Sequence, residues 1–155
     1  MDMKNLHVDE LRQEGATIKN CNSNYITKCS ALTKRMKRGE PYRTNVTFTT
    51  VVPFTNNVTM KYSYGVKGYP NMLSIKTKIC DILNITWLKE YIGMFSDIPL
   101  SCPVKPGSYG FYNMEFPPKN LPLPIPKGDI YFTCIVETTD TNELITHLDL
   151  VLRSK

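Results

Sequence analysis

With 155 residues, 41% of them hydrophobic, and a mean hydropathy of −0.27, the chain can form one domain with a real core. No apolar run approaches the roughly 18 to 20 residues of a membrane-spanning helix. The net charge of +5 invites a nucleic-acid partner. That partner is not expected, because the aromatic residues fall at strand parity and do not interleave with the basic residues.

Residues 1–16 carry mixed charge without a sustained pattern and read as a flexible tail, leaving a single domain over 17–155. The first fifteen residues show no apolar leader core. Five cysteines accompany only two histidines and no C-x-x-C pair, a usage that speaks against a zinc site and for an exported protein whose leader has been removed. Cys21 and Cys29 bracket a short polar loop that they could close, and an edge strand follows at Ser30 to Lys34. Lys34, Arg35, Lys37 and Arg38 then concentrate the positive charge, either as a solvated rim or as a patch that attracts anionic lipid headgroups.

From there the dominant period is two. Val46, Phe48 and Val52 point one way, and Pro53 to Asn57 supply a turn. Val58, Met60, Tyr62 and Tyr64 alternate with polar residues, as in a half-buried antiparallel strand. Gly65 to Asn71 read as a loop, and Leu73, Ile75, Thr77 and Ile79 form the next strand.

Between Cys80 and Cys102 the period changes. Ile85, Leu88, Ile92 and Phe95 recur at helical spacing, and Leu83, Trp87, Tyr91 and Met94 widen the stripe, predicting one short helix over about 82–96 that lies on a sheet. Asp81 suits the positive end of its macrodipole. Strands follow at Tyr109 to Phe116, at Ile130 to Val136 and at Leu144 to Leu152, with a proline-rich link at Leu121 to Asp129. About seven short strands and one helix predict a mainly β protein, an antiparallel sandwich or open barrel.

No catalytic constellation can be assembled. His7 falls in the tail, His147 on the polar parity of the last strand, and Cys134 on an inward face without an adjacent base. Phosphate loops, metal-ligand clusters and a nucleophile elbow are absent from the sequence, so no enzyme, cofactor or metal is expected. Asn45, Asn57 and Asn84 each begin an N-x-T sequon and are candidate glycosylation sites in an exported protein.

Three stretches together resemble the GM2 activator protein and the wider MD-2-related lipid-recognition family: Ile79-Cys-Asp-Ile-Leu83, Cys102-Pro-Val-Lys-Pro-Gly-Ser-Tyr109, and Leu121-Pro-Leu-Pro-Ile-Pro-Lys-Gly-Asp-Ile-Tyr131. A similar order, with an upstream cysteine pair like Cys21 and Cys29, occurs in secreted insect proteins. The resemblance covers residues 79 to 152 well and the earlier half only in strand pattern.

The resemblance implies a β-cup, two antiparallel sheets splayed around an apolar cavity, and a secreted or lysosomal carrier of a lipid or other small hydrophobic ligand. The cavity would be lined by Phe48, Met60, Tyr62, Tyr64, Ile75, Ile79, Leu83, Trp87, Leu88, Tyr91, Met94, Phe95, Phe111, Met114 and Phe132. It also implies a Cys80 to Cys102 disulfide and, by the upstream pair, one between Cys21 and Cys29. Cys134 is then left over, or pairs with Cys21 or Cys29 across the sandwich. Read without the resemblance, Trp87, Met94, Phe95 and Phe111 simply fill a core. A closed core with Tyr and Met exposed around Phe54 and Tyr69 would instead fit an extracellular module that binds a receptor or other protein.

Overall fold

The computed structural model describes residues 11–35, 37–115 and 128–154. Their strands are β1 (Leu11–Cys21), β2 (Ile26–Lys34), β3 (Arg43–Thr50), β4 (Val58–Val66), β5 (Tyr69–Lys78), β6 (Gly107–Met114), β7 (Ile130–Thr138) and β8 (Leu144–Ser154). One sheet has the order β1-β8-β7-β4-β5 and the other β2-β3-β6, every pairing antiparallel. Between β5 and β6 lie a 3₁₀ segment, Ile79–Asn84, and helix α1, Thr86–Phe95. The fold is mainly β, with two sheets and one short helix, as the alternation of residues predicts.

Three differences from that expectation have physical causes. The strand β1 begins at Leu11, inside the stretch read as a tail, while residues 1–10 and the proline-rich link at 116–127 lie outside the described residues. Its register on β8 slips between Gln13 and Gly15 and again between Ile18 and Asn20. Each slip moves the side chains to the opposite face and erases the period of two by which a strand is read. The stretch from Gly65 to Asn71 is no loop but a tight hairpin, Val66 pairing with Tyr69 around Lys67 and Gly68. Gly68 sits at φ +90°, a backbone state that glycine adopts without steric cost.

The third difference is where the helix starts. Ile85 is extended at φ −101° and ψ 100°, so the segment breaks into a 3₁₀ turn and an α-helix. The Ile85 N–H closes the first on the Ile82 carbonyl, and the Ile85 carbonyl accepts the Lys89 N–H to open the second. The two pieces turn Ile82, then Leu88 and Tyr91, into the interior.

Two separate apolar clusters show how the sheets sit. One gathers Ile26, Phe54, Val58, Val104 and Ile145, with Val136 and Tyr109 against it, so it draws on both sheets and on the loops that cross between them. Phe54 and Val104 exchange both backbone hydrogen bonds at 2.9 Å, tying those loops together. The other gathers Tyr64, Ile130, Phe132, Leu150 and Leu152, with Ala16, Tyr62, Val66 and Leu73 against it. All of its described members belong to the five-stranded sheet. The sheets therefore close on each other at the Ile26 end, while the second cluster lies within the larger sheet.

The closed end is also the polar-braced one. The Asn22 amide donates to the Glu143 carboxylate at 3.1 Å and to the Leu144 carbonyl at 3.0 Å, and the Tyr25 hydroxyl donates to Glu143 at 2.8 Å. Glu137, 7% exposed, is held by Lys61 at 2.8 Å and Asn142 at 2.9 Å. The hydrogen bond from Lys61, aided by Asn142, keeps this carboxyl below the usual range against the opposing effect of its burial.

Disulfides join Cys21 to Cys29 and Cys80 to Cys102. The first clamps the turn where the chain passes from the larger sheet to the smaller. The second spans 22 positions and closes the loop that carries α1. Replacing Cys80 and Cys102 by alanine should cost about 3 kcal/mol in urea unfolding, the loop-closure value for a loop of this size. A loss below about 1 kcal/mol would show that packing alone holds the helical loop.

Candidate functional site: an apolar cavity between the sheets

A void of about 260 Å³ lies between the two sheets. The larger sheet supplies Ile18, Met60, Tyr62, Cys134, Val136, Ile145, Thr146 and Leu148 to its wall, and the smaller supplies Ile26, Cys29, Val46, Thr47, Phe48, Thr50, Tyr109, Phe111 and Met114. The helical loop adds Ile79, Trp87, Leu88, Tyr91, Ile92 and Ile98, and Phe54 and Val104 complete it. Among these described residues none is charged.

Most polar atoms of the wall are spent elsewhere. The Tyr91 hydroxyl donates to the Glu115 carbonyl at 2.8 Å, Thr146 to the Asn20 carbonyl at 2.7 Å, and Thr50 to the carbonyls of Lys105 and Gly107 at 3.4 and 3.3 Å. What faces the void is therefore mainly carbon. A void of this size exceeds the roughly 150 Å³ at which an aliphatic cavity stays dry and takes up benzene or xenon. It falls just short of the usual range of ligand pockets, which run from about 300 Å³ upward.

Of the residues expected at the cavity, the structure places Phe48, Met60, Tyr62, Ile79, Trp87, Leu88, Tyr91, Phe111 and Met114 along the void. Six others lie elsewhere. Tyr64 and Phe132 stack on each other at 5.4 Å in the second cluster, where the space is filled. Ile75 is on the edge strand β5, one strand beyond its partner Tyr62. Leu83 falls on the 3₁₀ segment, whose buried residue is Ile82. Phe95, in the last turn of α1, packs on the Tyr91 ring at 5.0 Å. Met94 is 68% exposed, since its position lies about 100° round the helix from the centre of the buried face.

Several wall residues escape sequence reasoning for identifiable reasons. Ile145 has the parity of an outward residue in β8, but a bulge opposite Val136 and Glu137 brings it and Thr146 both to the interior. Phe54, Ile98 and Val104 sit in loops, where no periodicity marks them. Ile18 belongs to the strand that the bulges conceal.

The remaining candidates are surface features. Lys34, Arg35, Lys37 and Arg38 are exposed at the turn between β2 and β3, with the Arg35 guanidinium 5.0 Å from the centre of the Tyr42 ring. Lys34 pairs with Arg43 at the same end of the smaller sheet as Met114, away from the closed end. Asn57 and Asn84 are exposed, whereas Asn45 is half-buried and its amide oxygen accepts the Asn113 N–H at 2.7 Å. His147 is half-buried and paired with Asp149 at 2.9 Å, beside Lys19 at 2.8 Å.

The arrangement defines a β-cup with an apolar cavity. The family described as a protein of unknown function, DUF1091, matches residues 54–132, just over half of the chain, and the chain belongs to that family. The matched stretch runs from Phe54 through β4, β5, the helical loop and β6 into β7. No curated protein is significantly similar. Similar solved structures include chicken MD-1 complexed with lipid IVa, 14% identical over 93% of this chain and 96% of that one, with a TM-score of 0.42. Another is a Niemann-Pick type C2 protein from the Japanese carpenter ant, 14% identical over 91% and 89%, with a TM-score of 0.32.

Cys134 is free, and burial pushes its thiol up to about 12. At pH 8 the folded protein should therefore react with iodoacetamide at Cys134 at least about a hundredfold more slowly than the unfolded chain, because only thiolate attacks. Peptide mapping checks this. Rapid alkylation of Cys134 in the native state would contradict a thiol held in an apolar wall.

Proposed function

We infer that the protein is a secreted, non-enzymatic carrier that holds a lipid or similar hydrophobic molecule between its two sheets. The observation that carries this reading is the void of about 260 Å³ with walls of carbon and no charge among the described residues. An empty space of that size forfeits packing that a solid core would gain, and an apolar guest restores it at about 0.8 kcal/mol for each buried CH₂. Methionine and aromatic walls such as Met60, Met114, Phe48 and Phe111 adapt to guests of varied shape. Two disulfides fit an oxidising compartment, which supports export. The exposed cations Lys34, Arg35, Lys37 and Arg38, away from the closed end, would bring the protein to anionic membrane surfaces where such guests reside.

A protein-binding module is the second reading. Tyr69 is 72% exposed and Met72 47% exposed on one hairpin, which favours it, but Phe54 is buried and the core is open. The two readings separate on a cavity-filling variant. Leu148 lines the void from β8, and tryptophan there would occupy much of it. The wild type should bind the neutral fluorescent probe N-phenyl-1-naphthylamine, and Leu148→Trp should bind it at least about tenfold more weakly with thermal stability kept or raised. No binding by the wild type, or equal binding by a folded variant, would favour a cavity without a ligand role.

A further inference from the structure

The void offers a polar group almost nothing to bond. Ligand pockets ordinarily place a few polar atoms among their apolar walls, and those atoms orient and select the guest. Here the wall presents essentially no polar surface. The Thr50 and Tyr109 hydroxyls bond the Lys105 carbonyl, the Tyr91 hydroxyl bonds the Glu115 carbonyl and the Thr146 hydroxyl bonds the Asn20 carbonyl. Cys29 is held in its disulfide with Cys21.

The backbone supplies no substitute. Strands β3, β4, β7 and β8 each lie between two partner strands, so most of the N–H and carbonyl groups behind these walls are engaged in the ladders. Those inside α1 are engaged in its own turns. A hydroxyl or carbonyl carried into such a space surrenders its bonds to water and gains none, and a charge fares worse. Selection at this site therefore works by exclusion.

We propose that the void takes an unbroken hydrocarbon segment and rejects any guest that would bring a hydroxyl, a carbonyl or a charge between the sheets. This rests on the reading of the void as a ligand site, and names the chemical class of the group enclosed there. At roughly 30 Å³ for each water-sized group, a space of about 260 Å³ holds a segment on the order of nine carbons. Such a segment comes either from a small hydrocarbon enclosed whole or from the tail of an amphiphile whose polar head stays outside. A long acyl chain is not housed over its full length.

Headspace gas chromatography, which reads the loss of a volatile compound from the vapour above a protein solution, tests this with octane, 1-octanol and 4-octanone. The ketone carries its oxygen in mid-chain, where the molecule cannot be enclosed without it. The wild type should bind octane at least about tenfold more tightly than 4-octanone, the penalty of one buried polar group without a partner. 1-Octanol separates the two sources of the segment. Bound within about tenfold of octane, it assigns the tail of an amphiphile, and bound more weakly than that, it assigns a small hydrocarbon enclosed whole.

4-Octanone bound within about tenfold of octane would overturn the proposal and leave the cavity reading intact, since the void would then hold guests without regard to polarity. Leu148→Trp fixes the location. As a folded protein it should bind octane at least about tenfold more weakly than the wild type, and Val46→Phe, from the facing sheet, gives the same reading if the tryptophan variant does not fold. A smaller loss in the folded variant, or no binding of any of the three compounds by the wild type, would sink the cavity reading itself and the proposal with it.

Discussion

Two sheets that meet at the Ile26 end and still enclose a void are the condition on which everything else in this molecule depends. At the meeting end, Ile26, Phe54, Val58, Val104 and Ile145 interlock from both sheets and their connecting loops. The apolar cluster around Tyr64 and Phe132 is built from the larger sheet alone among the described residues. The void lies beside the first cluster, with Ile26, Phe54, Val104 and Ile145 in its wall.

The parts of the chain outside the sheets hold this open arrangement in place. The Cys21 to Cys29 bond and the Asn22, Tyr25 and Glu143 hydrogen bonds fix the turn at which the chain changes sheets. The Cys80 to Cys102 bond closes the loop from which Trp87, Leu88, Tyr91 and Ile92 form one wall of the void. Tyr91 anchors that wall to β6 through the carbonyl of Glu115, just beyond the strand. With both ends of the helical loop tied, α1 cannot simply fall into the gap it borders.

Much of this architecture is legible in the sequence, and the illegible part has a common cause. Strands with uninterrupted alternation, such as β4 with Val58, Met60, Tyr62 and Tyr64, declare their inward face directly. The helical wall is equally plain in Trp87, Leu88 and Tyr91. Alternation fails wherever a bulge resets it, which conceals Ile18 and Ile145, and it is silent in the loops that hold Phe54 and Val104. Alternation also cannot tell a filled stretch of interior from a hollow one. Tyr62 and Tyr64 carry the same signal two positions apart, yet one faces the void and the other packs solidly on Phe132. That distinction depends on what packs against each ring, a property of the assembled fold.

The central claim is that the space between the sheets is open, apolar and able to accept a guest. Diffraction from crystals of the protein pressurised with xenon tests it most directly, since xenon enters apolar cavities without needing any polar partner. The account predicts xenon density between the sheets, in contact with Tyr62, Phe111 and Leu148. Side chains closed across that space, or ordered water filling it in place of xenon, would contradict the account.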